Sequence, residues 1–196
     1  GRNWLFNNIS LDGSYFNNPF GLENPAPGDQ TNAEPVPFEA VEQIQVSVAP
    51  FDVRESGFTG ASINTVTKSG SNQYRGSIYS YFRDESFIGG RVSGVEVLNP
   101  NLSFNQSGFT VSGPIIPNEL FFFVNGELER RDDPGSNFVA SRNGLTGPTV
   151  SRVDAEVMQE IRQRMIDVYD YDPGTFEDYI HDTDNEKLLL KVDWNI

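Results

Sequence analysis

The stretch SINTVTKSGSNQYRGSIYSYFRDE, residues 62–85, joins two different strand patterns through a short polar turn. The first pattern, over residues 61–67, alternates apolar and polar residues imperfectly. The second, over residues 74–83, contains three Tyr and one Phe. Between them, Lys-Ser-Gly-Ser-Asn at 68–72 is rich in residues that turns prefer and offers no recognisable catalytic set. This joint predicts a boundary between two parts of the chain near residue 70.

The composition of the whole chain favours a protein built from strands and loops. Its 196 residues are 37% hydrophobic and 12% aromatic, and they include 18 Gly and 12 Pro. The formal net charge of −14 argues against a nucleic-acid partner, because phosphate binding needs a basic face. Residues 132–186 carry 13 Asp and Glu against 4 Arg, so this one segment holds most of the acidic excess. The absence of Cys excludes disulfides, thiol catalysis and Cys-ligated metals.

Four segments after the joint have the length and alternation of strands. In the third of them, Leu120 to Leu128 place the even-numbered, mostly apolar residues on one face, with Glu127 and Glu129 on the other. One apolar face and one charged face suit a barrel strand of about 9–11 residues, and they also suit a sheet over a soluble core. On the strands alone the soluble sheet is the more common structure. The predicted strands span residues 74–83, 102–113, 120–130 and 187–196.

The lengths of the connections favour the barrel. A long loop over 84–101 is followed by a tight turn at 113–118 and a very long loop over 132–186. Alternation of long and short connections is typical of outer-membrane barrels, whose periplasmic turns are short and whose outer loops are long. Within the longest loop, Ser151-x-x-Asp154 resembles a capping box and predicts the start of a helix. An apolar stripe at helical spacing follows, formed by Val153, Val157, Ile161, Met165 and Val168.

Residues that could carry chemistry are few. Asp182, Asp184 and Glu186 are spaced by two and are weak candidates for a calcium site, but the EF-hand pattern is absent. A solvated acidic loop is the favoured interpretation of these carboxylates. The single His181 has neither Cys nor a second His to complete a metal site. Neither a nucleophile elbow nor a phosphate-binding loop is present, so we expect no enzyme activity and no cofactor.

Several motifs before the joint resemble the plug domain of TonB-dependent outer-membrane receptors. Three of them are Val41-Glu-Gln-Ile-Gln-Val46, Arg54-Glu-Ser-Gly-Phe-Thr-Gly60 and Ile63-Asn-Thr-Val-Thr-Lys-Ser-Gly70. Further stretches resemble the Oar-like branch of that family, found in Bacteroidetes and myxobacteria. They are Asn7-Asn-Ile-Ser-Leu-Asp-Gly13, Phe16-Asn-Asn-Pro-Phe-Gly-Leu22 and Ala49-Pro-Phe-Asp-Val-Arg54. The family's plug-end motif maps onto Gly60, Ile63, Asn64, Thr67, Lys68 and Gly70.

The resemblance implies a specific architecture. A mixed α/β plug domain would occupy residues 1–70, and antiparallel transmembrane β-barrel strands would follow over residues 71–196. Receptors of this family hold their plug inside a barrel of 22 strands. Four strands cannot close such a barrel, so we expect the chain to be the N-terminal part of a longer receptor in the outer membrane of a Gram-negative bacterium.

The resemblance also implies a function. Such receptors bind a ligand outside the cell, and the TonB–ExbB–ExbD complex pulls on a segment upstream of the plug, which this sequence does not include. The plug would gate active transport without covalent chemistry, in contact with outer-membrane lipid. The ligand is unknown, and the Oar-like branch suggests peptides or proteins at least as readily as iron chelates. Because plug Arg residues often pair with wall Glu residues in the family, we predict a pairing of Arg54 with Glu127 or Glu129.

Two other functions are compatible with parts of the sequence. A secreted all-β adhesion or calcium-binding module would use the acidic loop. A passive porin-like channel would use the strands alone, but the plug-like region that precedes them disfavours this alternative.

Overall fold

The computed structural model describes residues 4–18, 26–28, 33–48, 59–96, 102–136 and 138–196. The chain divides into two compact units. The first comprises residues 1–81, 106–129 and 185–196, and the second comprises residues 82–105 and 130–184. This division does not fall at residue 70, so the expected boundary between plug and barrel remains a prediction. None of the described helices is long and apolar enough to span a membrane.

The N-terminal sheet has four strands in the order β2-β1-β4-β3. Strand β1 runs parallel to β4, whereas β2 pairs with β1 and β3 pairs with β4 in antiparallel fashion. Asp12 and Gly13 form the turn between β1 and β2, and both have positive φ angles of 48° and 80°. The four strands are β1 (Asn8–Leu11), β2 (Ser14–Tyr15), β3 (Val41–Val48) and β4 (Ala61–Thr67).

The predicted mixed α/β character of the N-terminal part is wrong for the residues that the structure describes. Before residue 155 the described residues contain strands and short 3-10 turns but no α-helix. Trp4–Phe6 and Phe38–Ala40 are two such turns, each of three residues. Asn, Pro and Gly are frequent in this part of the sequence, and these residues favour turns over helix interiors.

The remaining strands follow in chain order, together with one helix. They are β5 (Arg75–Asp84), β6 (Arg91–Val92), β7 (Val95–Glu96), β8 (Ser103–Ile116), β9 (Leu120–Pro134), β10 (Val139–Ser141), β11 (Val150–Asp154), helix α1 (Ala155–Tyr169) and β12 (Ile180–Trp194). Strands β5, β8, β9 and β12 form the long-strand sheet, in the order β12-β9-β8-β5. Each long strand therefore lies beside its neighbour in the chain, as in a meander.

Contacts between facing residues show that adjacent long strands are antiparallel. Ser77 faces Thr110 at 2.6 Å and Ser80 faces Ser107 at 2.8 Å, so residue numbers rise on β5 as they fall on β8. Strand β12 runs against β9 in the same way, because Asn195 bonds to Glu119 and Lys187 bonds to Glu127.

Three of the long strands extend well beyond their predicted ends, and the first of them, β8, continues to Ile116 rather than 113. Strand β9 continues to Pro134 rather than 130, and β12 begins at Ile180 rather than 187. Within the missed part of β12, residues His181 to Glu186 are all polar, so they show no alternation to reveal a strand. The predicted loop over 132–186 is therefore shorter than expected and contains β10, β11 and α1.

The two faces of the long-strand sheet have opposite character. Odd-numbered residues of β9 are buried, from Phe121 to Glu129. Along β12 the odd-numbered residues from Thr183 to Asp193 are less exposed than the even-numbered ones. The opposite face presents large apolar side chains to the outside. They are Ile78, Phe109, Val111, Ile115, Leu128, Leu188, Leu190, Val192 and Trp194, and we call this set the apolar band.

The second unit contains helix α1 and the parallel pair β10–β11. Asp154 is the N-cap of α1, and its carboxylate accepts hydrogen bonds from the N–H groups of Glu156 and Val157. The capping box predicted at Ser151 is therefore wrong by one turn, because the N-cap is Asp154 and not Ser151. The Asp154 carboxylate suits this position, since it accepts from free N–H groups and complements the positive end of the helix dipole.

Candidate functional site

The beginning of β4 is fastened to the chain just before β1. The Ala61 N–H donates to the side-chain oxygen of Asn7 at 2.9 Å, and the Gly60 N–H donates to the Phe6 carbonyl at 3.0 Å. A Cβ at Gly60 would collide with the Asn7 side chain and lie 3.0 Å from the Phe6 carbonyl oxygen. Gly60 is thus placed where only a glycine allows this close approach of two backbones.

Polar side chains continue the same contact along the middle of β4. Ser10 donates to the Asn64 side-chain oxygen at 2.9 Å, and the Gly13 N–H donates to the same oxygen at 2.9 Å. Ile63 is the backbone partner of Ile9 in the parallel ladder. The two motifs at residues 7–13 and 60–70 therefore bind one another, although nearly fifty residues separate them in the chain.

The far end of β4 meets both Asp12 and the long-strand sheet. Thr67, which is 1% exposed, donates its N–H and its hydroxyl to the Asp12 carboxylate at 2.8 and 2.5 Å. The Lys191 ammonium donates to the Thr67 carbonyl at 3.1 Å and lies 3.6 Å from the Asp12 carboxylate. Burial raises the pKa of Asp12, but the hydrogen bonds from Thr67 and the charge of Lys191 outweigh it and hold this pKa below its ordinary value of 3.8.

A second polar contact joins the two sheets beside Thr67. Glu39 lies 3.5 Å from the Lys68 ammonium and accepts a hydrogen bond from the Tyr81 hydroxyl at 3.1 Å. The Lys68 N–H also donates to the Ala40 carbonyl at 2.8 Å. Because these side chains are partly exposed, their ion pair contributes little to stability and serves mainly to orient the neighbouring groups.

A buried charge cluster lies on the inward face of the long-strand sheet. Glu127 is 2% exposed and Glu129 is 3% exposed. The Lys187 ammonium, with its side chain 5% exposed, lies 2.7 Å from Glu127 and 3.0 Å from Glu129. One lysine thus faces two carboxylates in a place where water does not screen their charges.

Tyr79 and Asn125 extend this cluster. The Tyr79 hydroxyl donates to Glu127 at 2.8 Å and accepts a hydrogen bond from the Asn125 side chain at 3.2 Å. The Tyr79 ring reaches this place because Gly108 has no side chain, since a Cβ there would collide with the Tyr79 hydroxyl. Asn125 is fully buried, and its side-chain oxygen has no hydrogen-bond partner within the described part of the chain.

The joint at residues 68–74 is hydrogen-bonded to the turn between β8 and β9. Asn72 donates its side-chain amide to the Asn118 side chain at 2.8 Å, and the Asn118 N–H donates back to Asn72 at 2.7 Å. The Tyr74 hydroxyl donates to the Pro114 carbonyl at 3.0 Å. The joint is therefore held in place by hydrogen bonds and is not a free linker.

The sequence-predicted site residues are distributed over these contacts. Gly60, Ile63, Asn64 and Thr67 face the chain around β1, Lys68 meets Glu39, and Gly70 lies against the backbone of the β8–β9 hairpin. Glu127 and Glu129 lie together in the buried charge cluster. Arg54 lies outside the described residues, so its pairing with either glutamate stays a prediction.

The carboxylates that were weak candidates for calcium do not converge. Asp182, Asp184 and Glu186 lie along β12, where alternate residues are spread in a line about 6.6 Å apart. Asp184 lies 3.3 Å from the Arg130 guanidinium. Among the described residues, no group of three or more acidic or His side chains is arranged to hold a metal ion.

Comparison with known proteins finds similarity to proteins of the outer membrane. Residues 66–155 match the family model of an outer membrane beta barrel domain. The chain is 30% identical over 110 residues to the TonB-dependent transporter Oar of Myxococcus xanthus, which covers 53% of this chain and 10% of that protein. The chain is therefore similar to TonB-dependent transporters over about half of its length. It is also 32% identical over 126 residues to the probable TonB-dependent siderophore receptor PirA of Acinetobacter baumannii, with 59% of this chain and 15% of that protein covered.

These similarities indicate a location in the outer membrane of a Gram-negative bacterium. The chain spans about a tenth to a seventh of the length of the two relatives.

Several residues of the site were missed in the sequence. Asp12, Lys191 and Lys187 make charged contacts of the site, and Tyr79 and Gly108 complete the buried cluster. The alternation along β12 could have placed both lysines on its inward face, because they share that face with the other inward residues. Their partners could not be named, because the register of β12 against β9 is set across a long connection.

Proposed function

We propose that this chain acts in TonB-dependent active transport across the outer membrane, with the N-terminal sheet as the plug and the long strands as part of the surrounding wall. One observation carries the proposal. The inward face of the long-strand sheet is bonded to the N-terminal sheet through Lys191, Tyr81 and the joint, while its opposite face carries the apolar band. A sheet with one polar, occupied face and one exposed apolar face suits a barrel wall between a filled interior and lipid.

The exposed apolar band supports contact with lipid. Ile78 is 92% exposed and Leu188 is 78% exposed, which is costly in water but favourable in hydrocarbon. The polar half of β12, before residue 187, lies beyond this band and suits a strand that continues above the membrane. Long connections would then face outward, and the short turn at residues 117–119 would face the periplasm.

The open edges of the long-strand sheet support a larger barrel. Strands β5 and β12 form its edges, and an edge left open in lipid would expose backbone groups without hydrogen-bond partners. In the proposal, further strands complete a plugged barrel of about 22 strands, the class that holds a domain in its lumen.

The polar contacts between the two sheets suit a plug that must move. Hydrogen bonds to water can replace those that Thr67, Lys68 and Glu39 make with their partners, so the plug can shift without exposing a large apolar surface. The side-chain oxygen of Asn125, beside the buried charge cluster, can accept a further donor, since it has no hydrogen-bond partner among the described residues. We propose Arg54 as that donor, on the plug side.

The proposed cycle follows from these parts. A ligand binds on the outer side, and the TonB complex with ExbB and ExbD pulls on a segment upstream of residue 1. The plug then opens a path through the barrel. The relatives are named a transporter and a siderophore receptor. We take a peptide or protein as the first candidate ligand class and an iron chelate as the second.

The transport proposal is tested in the native bacterium by comparing a strain that lacks this receptor with a strain that lacks TonB. Both strains are grown on a panel of peptides, proteins and iron chelates as limiting nutrients. We expect both to lose growth on the same nutrient, and the intact gene to restore it to the receptor mutant. Growth of the receptor mutant equal to wild type on every nutrient that needs TonB would contradict the proposal.

The plug role is tested separately by removing residues 1–70 from the full-length receptor. We expect the outer membrane to become permeable to a large antibiotic such as vancomycin. The matched control removes residues 143–147 of the longest loop instead, and should leave the permeability unchanged. If the receptor without residues 1–70 inserts normally and remains impermeable, these residues do not close the barrel.

A further inference from the structure

The chain enters the parallel pair β1–β4 at one end and leaves it at the opposite end. The chain upstream enters at the start of β1, beside the start of β4, because Asn8 is the partner of Ser62. The chain downstream leaves from the other end of β4, at Thr67, toward the joint. A pull on the N-terminal side would therefore draw β1 lengthwise along β4.

The contacts between these two segments run without a break along their length. Phe6 and Asn7 hold Gly60 and Ala61 at one end, and four backbone pairs follow in the ladder. The Asp12 N–H then donates to the Thr65 carbonyl at 2.9 Å. At the far end the Asp12 carboxylate accepts both hydrogen bonds from Thr67.

The far end of β4 is in turn held by the long-strand sheet. Lys191 binds the Thr67 carbonyl, and Asn118 binds Asn72 of the joint. A Cβ at Gly70 would collide with the Phe122 carbonyl and lie 2.9 Å from the Gly113 carbonyl, so the joint packs directly on the hairpin backbone. These contacts would keep β4 in place while β1 is pulled.

We infer that the β1–β4 pair is the mechanical clamp of the N-terminal sheet. When β1 is drawn lengthwise along a fixed β4, all of their hydrogen bonds carry the load together and must break nearly at once. Strand β3 is different, because Val41 pairs with Thr67 at the fixed end. Once β1 has separated, a pull on Val41 opens the β3–β4 bonds one after another, which needs less force.

The clamp is a property of the sheet, and only its use in gating rests on the proposed function. Transport would then begin with a single resisted step at β1, after which β3 opens readily. A failure of the transport assays would leave the mechanical inference standing, because the test of the clamp needs neither ligand nor TonB.

The test stretches the full-length receptor, held in a lipid bilayer, from its N-terminus by single-molecule force spectroscopy. Because this chain has no Cys, pairs of introduced cysteines can lock chosen strands. Ile9→Cys with Ile63→Cys links β1 to β4, and Ile44→Cys with Thr65→Cys links β3 to β4, each at partner positions of the ladders. The reduced form of each variant is its own control.

We expect the 9–63 link to remove the first force peak and about 180 Å of released chain, at about 3.4 Å per extended residue. The 44–65 link should keep the first peak and remove about 70 Å from the later extension. Asp12→Ala should lower the first rupture force, whereas Glu39→Ala, off the load path, should not. A first peak that survives the 9–63 link, or one that disappears with the 44–65 link, would overturn the clamp.

Discussion

Asp12 connects the turn after β1 to the end of β4. Its carboxylate accepts two hydrogen bonds from Thr67 and lies near the Lys191 ammonium, all three of which favour its charged form. The ordinary pKa of this group is 3.8, and in the folded protein its pKa is lower. A group with a lowered pKa stabilises the fold above its unfolded pKa, and this contribution is lost as the pH falls through the folded value.

We therefore predict that acid lowers the stability of the folded protein by protonating Asp12. In full-length receptor in detergent, the denaturant midpoint should fall as the pH drops below about 4. Asp12→Asn should lower the midpoint at pH 7 and show a smaller further loss in acid. An Asp12→Asn variant with the same pH profile as wild type would show that Asp12 does not contribute to the loss.

Lys187 is a buried cation that pairs with two buried glutamates. Removing one partner of a buried ion pair leaves an uncompensated charge and costs about 3–5 kcal/mol. We predict that Lys187→Met lowers the free energy of unfolding by an amount of this order, measured by denaturant titration of the receptor in lipid vesicles. Combining it with Glu127→Gln should recover part of the loss, because one of the two carboxylates that lose Lys187 is then neutral.

The matched control for Lys187 is Lys68→Met. Lys68 also pairs with a glutamate, but its side chain is 41% exposed, so the expected cost is at most about 1 kcal/mol. Equal losses for the two variants would mean that burial does not set the strength of the Lys187 pairs.

At the scale of elements, the joint connects the N-terminal sheet to β5 through direct backbone packing. Gly70 lies against two carbonyl oxygens of the β8–β9 hairpin, and neither can move without distorting the ladder. We predict that Gly70→Ala costs about 1–3 kcal/mol through overpacking. Thermal unfolding of the purified receptor should show this as a lower midpoint. Gly89→Ala is the control, since nothing lies within 4 Å of a Cβ there, and it should leave the midpoint unchanged.

Helix α1 owes its first turn to Asp154. We predict that Asp154→Ala weakens this turn by about 1 kcal/mol, because the N–H groups of Glu156 and Val157 lose their acceptor. Hydrogen exchange at residues 155–158 in the intact receptor should become faster by about fivefold, which is the change that this free energy gives. Ser151→Ala should not change the exchange rates at these residues, and an equal effect of the two substitutions would favour the capping box at Ser151.

At the scale of the whole molecule, the free-energy cost of a substitution depends on whether the residue lies in the apolar band or in a polar part of the long-strand sheet. Leu190 lies in the middle of the band on β12, and Glu186 lies on the same face beyond it. We predict that Leu190→Arg costs about 2–4 kcal/mol and Glu186→Arg about 0–1 kcal/mol, as for lipid-facing and interfacial positions of a barrel. The folded fraction of receptor in the outer membrane, measured by heat-dependent gel migration, should fall only for Leu190→Arg. Equal yields would show that this face does not meet lipid.

The sequence by itself determined the long strands, their apolar face and the family resemblance. Period-two alternation in residues 120–130 is a local property, and the side chains of one strand suffice to show it. The motif residues from Gly60 to Gly70 could be recognised for the same reason, as a continuous stretch. Where alternation is missing, as in His181 to Glu186, the sequence could not show that the strand continues.

Only the tertiary structure decided which distant residues meet. The pairing of residues 7–13 with β4 and the contact of Lys187 with two glutamates each depend on a strand register set across about fifty residues of intervening chain. The long connections place no geometric restraint on that register, so side-chain patterns within one strand cannot supply it. The motif at Gly60 to Gly70 could be recognised in the sequence. Its partners, and the clamp that it forms with β1, follow only from the pairing of the strands.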